Sequence, residues 1–221
     1  QFAHAEGAAG RPREALAGLL PWLARIDEPE VDPALACALL GCQAWLLEVA
    51  DRRREAVAVY GATVERALAQ EQYAAAHATL TDQAVALYYL GELQASLDAY
   101  ERARALRDRI AGGKGWSRLD DMALGGHYRE LGRFGDALAL LEPTAEALRA
   151  EGFGVWAAVA EHELAATWVA LGQTARAQQA LGELPSPCPD WLRAARLVAQ
   201  ARIERARRRP AAAELAQALA L

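Results

Sequence analysis

Lysine is nearly absent from this chain: Lys114 is the only one, so almost all positive charge is arginine. The 24 basic residues are outweighed by 29 acidic ones, and a net charge of −5 argues against nucleic-acid binding by bulk electrostatics. Cysteine is also scarce. Cys37, Cys42 and Cys188 are an odd number, which gives no disulfide framework and points to a reducing compartment, hence a cytoplasmic location. The apolar runs are broken by charge or glycine well before 18 residues, so no membrane-spanning helix is expected. No segment suits a sheet. Glycine and proline together number only 26 of 221 residues, too few for a disordered chain. Nothing at the start has the form of a signal peptide. The chain opens on Gln1 in the middle of a hairpin pattern, as expected of a fragment of a longer protein.

Signatures of chemistry are missing as well. His4, His77, His127 and His162 fall at scattered positions, and Cys37 and Cys42 do not share a helix face well, so no metal site and no cofactor is expected. Both cysteines read as small core residues. Gly112-Gly113-Lys114-Gly115 lacks the full spacing of a phosphate loop and any strand before it, and reads as a loop between repeats. There is no Gly-x-Ser-x-Gly elbow and no paired carboxylate arrangement for acid–base work. The chain is expected not to be an enzyme.

What is present is a period. A turn residue recurs at Gly10, Asp51, Gly91, Gly132 and Gly172, with a weaker echo at Arg209-Pro210; the gaps are 41, 40, 41, 40 and 37 residues. Five positions after each turn stands a small residue: Ala15, Ala56, Ser96, Ala137, Ala177. Four positions further come Leu19, Tyr60, Tyr100, Leu141 and Leu181. Four positions before the turn are Glu6, Leu47, Leu87, Tyr128 and Trp168, so the large apolar slot fails only in the first copy. The small slot lets two helices approach; the large residue one turn on fills the gap between them. A period near 40 carried by helical patterns is the signature of a solenoid of helix pairs.

The punctuation divides the chain into about six hairpins: 1–26 (partial), 33–70, 74–110, 117–150, 154–184 and 191–221, read as one elongated domain. Asp32 can cap, and Pro33 can open, the helix after the Asp27–Pro33 linker. Pro185-Ser186-Pro187-Cys188-Pro189-Asp190 reads as a stiff connector after a fifth hairpin that reaches Leu184.

Leu124-Gly125, Tyr128, Gly132, Phe134 and Ala137 reproduce most of the consensus spacing of the tetratricopeptide repeat. Leu90-Gly91-x-Leu93 with Ser96, Tyr100 and Ala103 covers its second half, and Leu171-Gly172 with Ala177 part of it. The chain thus resembles the tetratricopeptide repeat superfamily, although its period exceeds the usual ~34 residues and the closing proline has no regular counterpart. Longer units of this sort are similar to the superhelical arrays of bacterial signalling ATPases and maltose-regulator-type transcriptional regulators. The resemblance implies an all-α right-handed superhelix of antiparallel helix hairpins. It also implies a protein- or peptide-binding module of a cytoplasmic bacterial regulator, with a small-molecule sensor or an oligomerisation scaffold as alternatives.

In that family the first helix of each pair lines the concave surface. Carried over, the inward positions are His4; Trp45, Glu48 and Val49; Thr81, Val85, Tyr88 and Tyr89; Met122, Gly126, Arg129 and Glu130; His162, Ala166 and Val169; and Ala199, Ile203 and Arg207. Trp45, Tyr88 and Tyr89 could equally be packing residues, whereas Tyr128 and Trp168 belong to the core slot. Aromatics flanked by a few charges suit a peptide or a small ligand. Near the end, Arg193, Arg196, Arg202, Arg205, Arg207, Arg208 and Arg209 place seven arginines in 17 residues, a local electropositive patch that is expected to meet solvent or another domain rather than nucleic acid.

Overall fold

The structure, a computed structural model, describes residues 11–110 and 117–207. Ten α-helices and no strand occur among the described residues. They are α1 (Pro12–Leu23), α2 (Pro33–Val49), α3 (Arg53–Ala69), α4 (Tyr73–Tyr89), α5 (Leu93–Leu106), α6 (Ser117–Glu130), α7 (Phe134–Ala150), α8 (Gly154–Ala170), α9 (Thr174–Ala180) and α10 (Asp190–Ala206). The chain divides into two compact units, residues 1–117 and 118–221. The sequence-predicted helix before Gly10, the 111–116 glycine loop and the last helix of the sixth pair lie outside the described residues.

One device stops α2, α3, α4, α6, α7 and α8. Asp51, Glu71, Gly91, Gly132, Gly152 and Gly172 all have positive φ, between +55° and +83°. At each, the next residue's amide reaches back five residues to a helix carbonyl: Arg52 to Leu47, Gln72 to Ala67, Glu92 to Leu87, Arg133 to Tyr128, Phe153 to Leu148, Gln173 to Trp168, at 2.8–3.0 Å. The turn residue's own amide reaches back three, as Gly91 does to Tyr88 at 2.9 Å. This pair of bonds is the Schellman motif, which satisfies carbonyls that the helix end would otherwise orphan. The next helix starts at once, with no side-chain cap at Arg52, Gln72, Glu92, Arg133, Phe153 or Gln173.

Six of the helices are 17 residues long. With three residues of link, the true half-repeat is 20, as the turns at 51, 71 and 91 and at 132, 152 and 172 show. The links between hairpins at Glu71 and Gly152 are therefore the same turn as the links within them.

That spacing sends the slots inward. The small positions Ala15, Ala56, Ser96, Ala137 and Ala177 are all buried, as are Leu19, Tyr60, Tyr100, Leu141 and Leu181, and Leu47, Leu87, Tyr128 and Trp168. Ser96, the one polar member, donates its hydroxyl to the Ala84 carbonyl at 2.6 Å. In the first unit Ala44, Leu47, Ala56, Tyr60 and Ala86 make a shared core across three helices, and Ala15, Leu19 and Leu46 another. In the second unit Ala165, Trp168, Ala177, Leu181, Ala199 and Ile203 do the same. Cys37 is buried, Cys42 half-buried. Gly125 gives the Leu-Gly pair its reason: a Cβ there would stand 2.4 Å from Cγ of Leu141.

Two boundaries need physical comment. Asp32 does cap α2, its Oδ1 accepting from the amides of Ala34 (2.7 Å) and Leu35 (3.3 Å), and Pro33 opens the helix. The fifth hairpin, however, stops short of Leu184. α9 ends at Ala180 because Gly182 is held by side chains instead of by helix bonds. Its amide donates to Glu161 and its carbonyl accepts from Arg196 Nη1 at 2.6 Å. With both backbone groups satisfied, the chain can leave the helix without a buried orphan.

The space around the Gly132 Cβ position is open, so a tight turn is not what demands glycine there; its φ of +73° is. Gly132→Val is expected to cost about 1–2 kcal/mol through the left-handed backbone alone. Glu71→Gly should do the reverse and gain up to about 1 kcal/mol, less the chain entropy of glycine. Thermal melts followed by circular dichroism distinguish these. An unchanged melt for both would mean that the left-handed link carries no strain.

Candidate functional site

The first helices of the first unit present a face. On α4 the residues Val85, Tyr88 and Tyr89 are exposed, Tyr89 at 68% and Tyr88 at 38%, and Val49 is exposed at the end of α2. The i, i+3, i+4 spacing puts Val85, Tyr88 and Tyr89 on one stripe of α4. The two tyrosine rings meet edge-on at 5.9 Å, and the Arg53 guanidinium, ion-paired with Asp51, stands over the Tyr89 ring. Trp45 differs. It packs against the cluster of Ala15, Leu19 and Leu46 and is only partly exposed, so it is largely a packing residue between α1 and α2.

The charges that α2 and α4 themselves carry are sparse and of one sign, with Arg53 of α3 the cation beside them. Glu48 is the only formally charged residue of α2, and Asp82 the only one of α4. Burial pushes the Glu48 carboxyl up, while the Tyr60 hydroxyl donating to it, and then Arg53, pull it down. Asp82 has an open edge to water and no partner among the described residues, yet protein surrounds the rest of it. Desolvation first, and the charge of Glu48 second, raise its carboxyl to about 6. Tyr60, buried beside both, is raised by burial and then by their charges.

In the second unit the sequence-predicted residues are brought to a cleft between α8 and α10. Val159, His162, Ala166 and Val169 of α8 face Trp191, Ala195, Val198 and Arg202 of α10 around a volume of about 310 Å³. A second lobe of about 460 Å³ shares Ala166, Val169 and Arg202, and adds Arg129 and Arg205. His162 Nε2 accepts a hydrogen bond from Arg196 Nε at 3.0 Å. Burial, and then the Arg196 charge, lower His162 to about 4, so the ring is neutral near pH 7. Arg129 lies between Glu163 and Glu130, each at 2.9 Å. Burial opposes its charge, but Glu163 and then Glu130 outweigh that and hold the guanidinium above its usual value. Met122 is half-buried and Glu130 exposed. His127 is buried and donates from Nδ1 to the Ala123 carbonyl at 2.7 Å, with burial lowering its pKa.

The inward register holds for α8 and only in part for α10, where Ala199 borders the cleft. Ile203 is fully buried in the core, and Arg207 donates to the Thr174 carbonyl and pairs with Glu204; Trp191, Ala195, Val198 and Arg202 take the open face instead. The arginine patch is also smaller than its sequence suggests. Arg196 is half-buried, reaching His162 and the Gly182 carbonyl, with Glu161 3.9 Å away. Glu161 itself accepts from Arg149 and from the Gly182 amide. Arg193 pairs with Asp190. Arg202 and Arg205 remain, exposed and without an ion-pair partner among the described residues; Arg208 and Arg209 lie outside them.

Sequence reasoning missed Asp82, whose position three residues before Val85 was the available signal, and Trp191, which reads in sequence only as the start of a helix after the proline connector. Among the described residues no group of His, Cys, Asp and Glu could hold a metal ion, and no helix is long and apolar enough to cross a membrane.

No protein-family model matches the chain, and no curated protein matches it. Among solved structures it is similar to a Podosopora anserina putative kinesin light chain with nearly identical TPR-like repeats. A point-substituted form of that protein is 19% identical over 90% of this chain and 93% of that one, with a TM-score of 0.69. The form without the substitution has the same identity and coverage, at 0.68. The fold is that of TPR-like helix-hairpin repeats.

Titration provides a check on the Asp82 environment. Its folded pKa, near 6, lies above the ~3.9 of an unfolded aspartate, so the stability it lends as a neutral acid is full below ~3.9 and lost as pH rises through about 6. His162 runs oppositely: its contribution is present above ~6.5 and lost as pH falls through about 4. Asp82→Asn should therefore be more stable than the parent at pH 7.5, by ~1 kcal/mol after allowing for solvent screening at an exposed group. The difference should vanish near pH 4. A pH-independent difference between the two melting curves would contradict this environment.

Proposed function

We propose that the chain is a non-catalytic, peptide-binding repeat module that positions a protein partner, or an attached domain, for a cytoplasmic bacterial signalling or transcriptional regulator. The observation that carries this reading is the α4 stripe of Val85, Tyr88 and Tyr89, three large side chains left in water on a first helix whose other apolar faces are packed. Rigid aromatics that stand in water contribute contact area at little entropic cost and are enriched at binding surfaces. The TPR-like fold supports the same reading, since arrays of this kind present extended faces. The regulator context rests on the long repeat. A small-molecule sensor would call for an enclosed pocket at Trp45 and Tyr88, and the packing of Trp45 against α1 weighs against one.

The test is affinity capture from bacterial lysate with the parent and a Tyr88→Ala/Tyr89→Ala variant, read by mass spectrometry. Both side chains are exposed, so the variant should melt within about 0.5 kcal/mol of the parent. A protein retained by the parent and lost by the folded variant is the expected result. Equal capture by both would remove the stripe from the binding surface.

A further inference from the structure

The second unit has a further cavity on the side of α8 that faces away from the α8–α10 cleft. Glu142 of α7, Leu164 and Trp168 of α8, and Arg176, Gln179 and Ala180 of α9 line a volume of about 470 Å³. Leu164 and Trp168 each stand two residues from Ala166, roughly 200° round the helix from the cleft face. The floor is apolar: Leu164 and Trp168 are core residues, and Ala180 ends α9 beside them. The rim carries one charge of each sign. Glu142 and Arg176 are both exposed, and neither has an ion-pair partner among the described residues, so they border one cavity without closing on each other. Arg176 is held back by stacking: its guanidinium lies over the Trp168 ring, 4.8 Å from the centroid. A stacked guanidinium keeps its N–H edge open to a carboxylate. Gln179 adds an exposed amide that can donate and accept.

We infer that this α7–α8–α9 cavity binds a free α-amino acid with an apolar side chain. Arg176 takes the carboxylate, Glu142 the ammonium, and the side chain rests on Leu164, Ala180 and the Trp168 indole. A zwitterion fits this rim because each of its charges meets the opposite one. A phosphate or a dicarboxylate would also face Glu142, and a polyamine would also face Arg176, so ligands of a single sign are disfavoured. The volume falls within the range of small-ligand sites. The ligand would also tie α9, only seven residues long, to α7. The site uses no residue of the α4 stripe, so it and the peptide-binding reading can fail independently.

The experiment titrates the protein with leucine, isoleucine, methionine and phenylalanine, each followed by saturation-transfer NMR. Two capped forms of leucine serve as probes of the charges: N-acetyl-leucine lacks the ammonium, and leucine amide lacks the carboxylate. At least one of the free amino acids should bind with a Kd of about 1 mM or tighter. Each capped form should bind more weakly by about tenfold or more, the loss expected for a charged hydrogen-bond partner. Glu142→Gln should weaken leucine by a similar factor and remove the preference for leucine over N-acetyl-leucine. Arg176→Gln should do the same for leucine over leucine amide. Both side chains are exposed, so both variants should melt with the parent. No binding of any of the four at ~10 mM, equal binding of the capped forms, or affinity unchanged in both variants overturns the proposal. The capped ligands meet the unaltered protein, so that arm decides even where a variant is destabilised.

Discussion

The left-handed residue that follows α2, α3, α4, α6, α7 and α8 is the constraint on which the rest of the structure depends. By reversing the backbone in one residue it lets a 17-residue helix give way to the next after three residues, so the chain advances in steps of 20. A fixed step is what allows alanine to meet a neighbouring helix at the same height in every copy. With a link of variable length, Ala56, Ala137 and Ala177 could not all be fully buried at one register. The buried residue five before each third link position, such as Leu47, Tyr128 or Trp168, is also the one whose carbonyl closes the turn. Turn geometry and core packing are thus fastened at the same residue, and neither can slip without the other.

Where the step is interrupted, charge takes over from backbone. α9 is cut to seven residues, and the chain that follows is held by Glu161, Arg149 and Arg196 closing on Gly182. A Cβ at Gly182 would come within 2.5 Å of Arg149 Nη2 and 2.8 Å of Glu161 Oε1, so the network needs the bare backbone. Burying Glu161 and most of Arg196 is tolerable only because these groups meet one another and Arg149; a lone ion in such a place would carry its full desolvation penalty. The same network explains the charge of the neighbouring cleft. It draws Arg196 and His162 inward, and leaves Arg202, nearly two turns on, in the open.

This division marks what could be read from the sequence. The slots at Ala15, Leu19, Leu47, Tyr128 and Trp168 were legible because periodicity along the chain records burial against a repeated neighbour. The glycine turns at 91, 132 and 172 were legible because a positive φ favours that residue. Glu71 carries the same conformation with no compositional mark, so the half-step of 20 stayed hidden behind the step of 40. The inward place of His162 followed from the repeat, but its partner did not. Arg196 is selected from seven similar arginines by the return of residues 181–189, and that path is irregular. Ile203 was misplaced for the same reason: after a connector of its own length, α10 enters at a rotation that counting from earlier repeats cannot supply. Trp45 shows a further limit, since a helix face that meets both α1 and solvent reads as apolar in either role.

The two units do not present the same surface chemistry, and the difference constrains any ligand. On α2 and α4 of the first unit the only formal charges are Glu48 and Asp82, and they disfavour each other: Asp82 is raised to about 6 partly by the charge of Glu48. Stability alone would be better served by an amide at position 82, because a carboxylate kept half-desolvated without a partner opposes folding at neutral pH. A cost confined to an exposed, aromatic-bearing face is the pattern expected where a surface is shaped by something other than folding. The α8–α10 cleft has the opposite sign, with Arg202 and Arg205 unneutralised among the described residues beside an aliphatic floor. A peptide of uniform charge that is attracted to one of these surfaces is repelled by the other. Discrimination among partners would then arise from the mismatch as much as from the match, with like charge excluding what shape alone would admit.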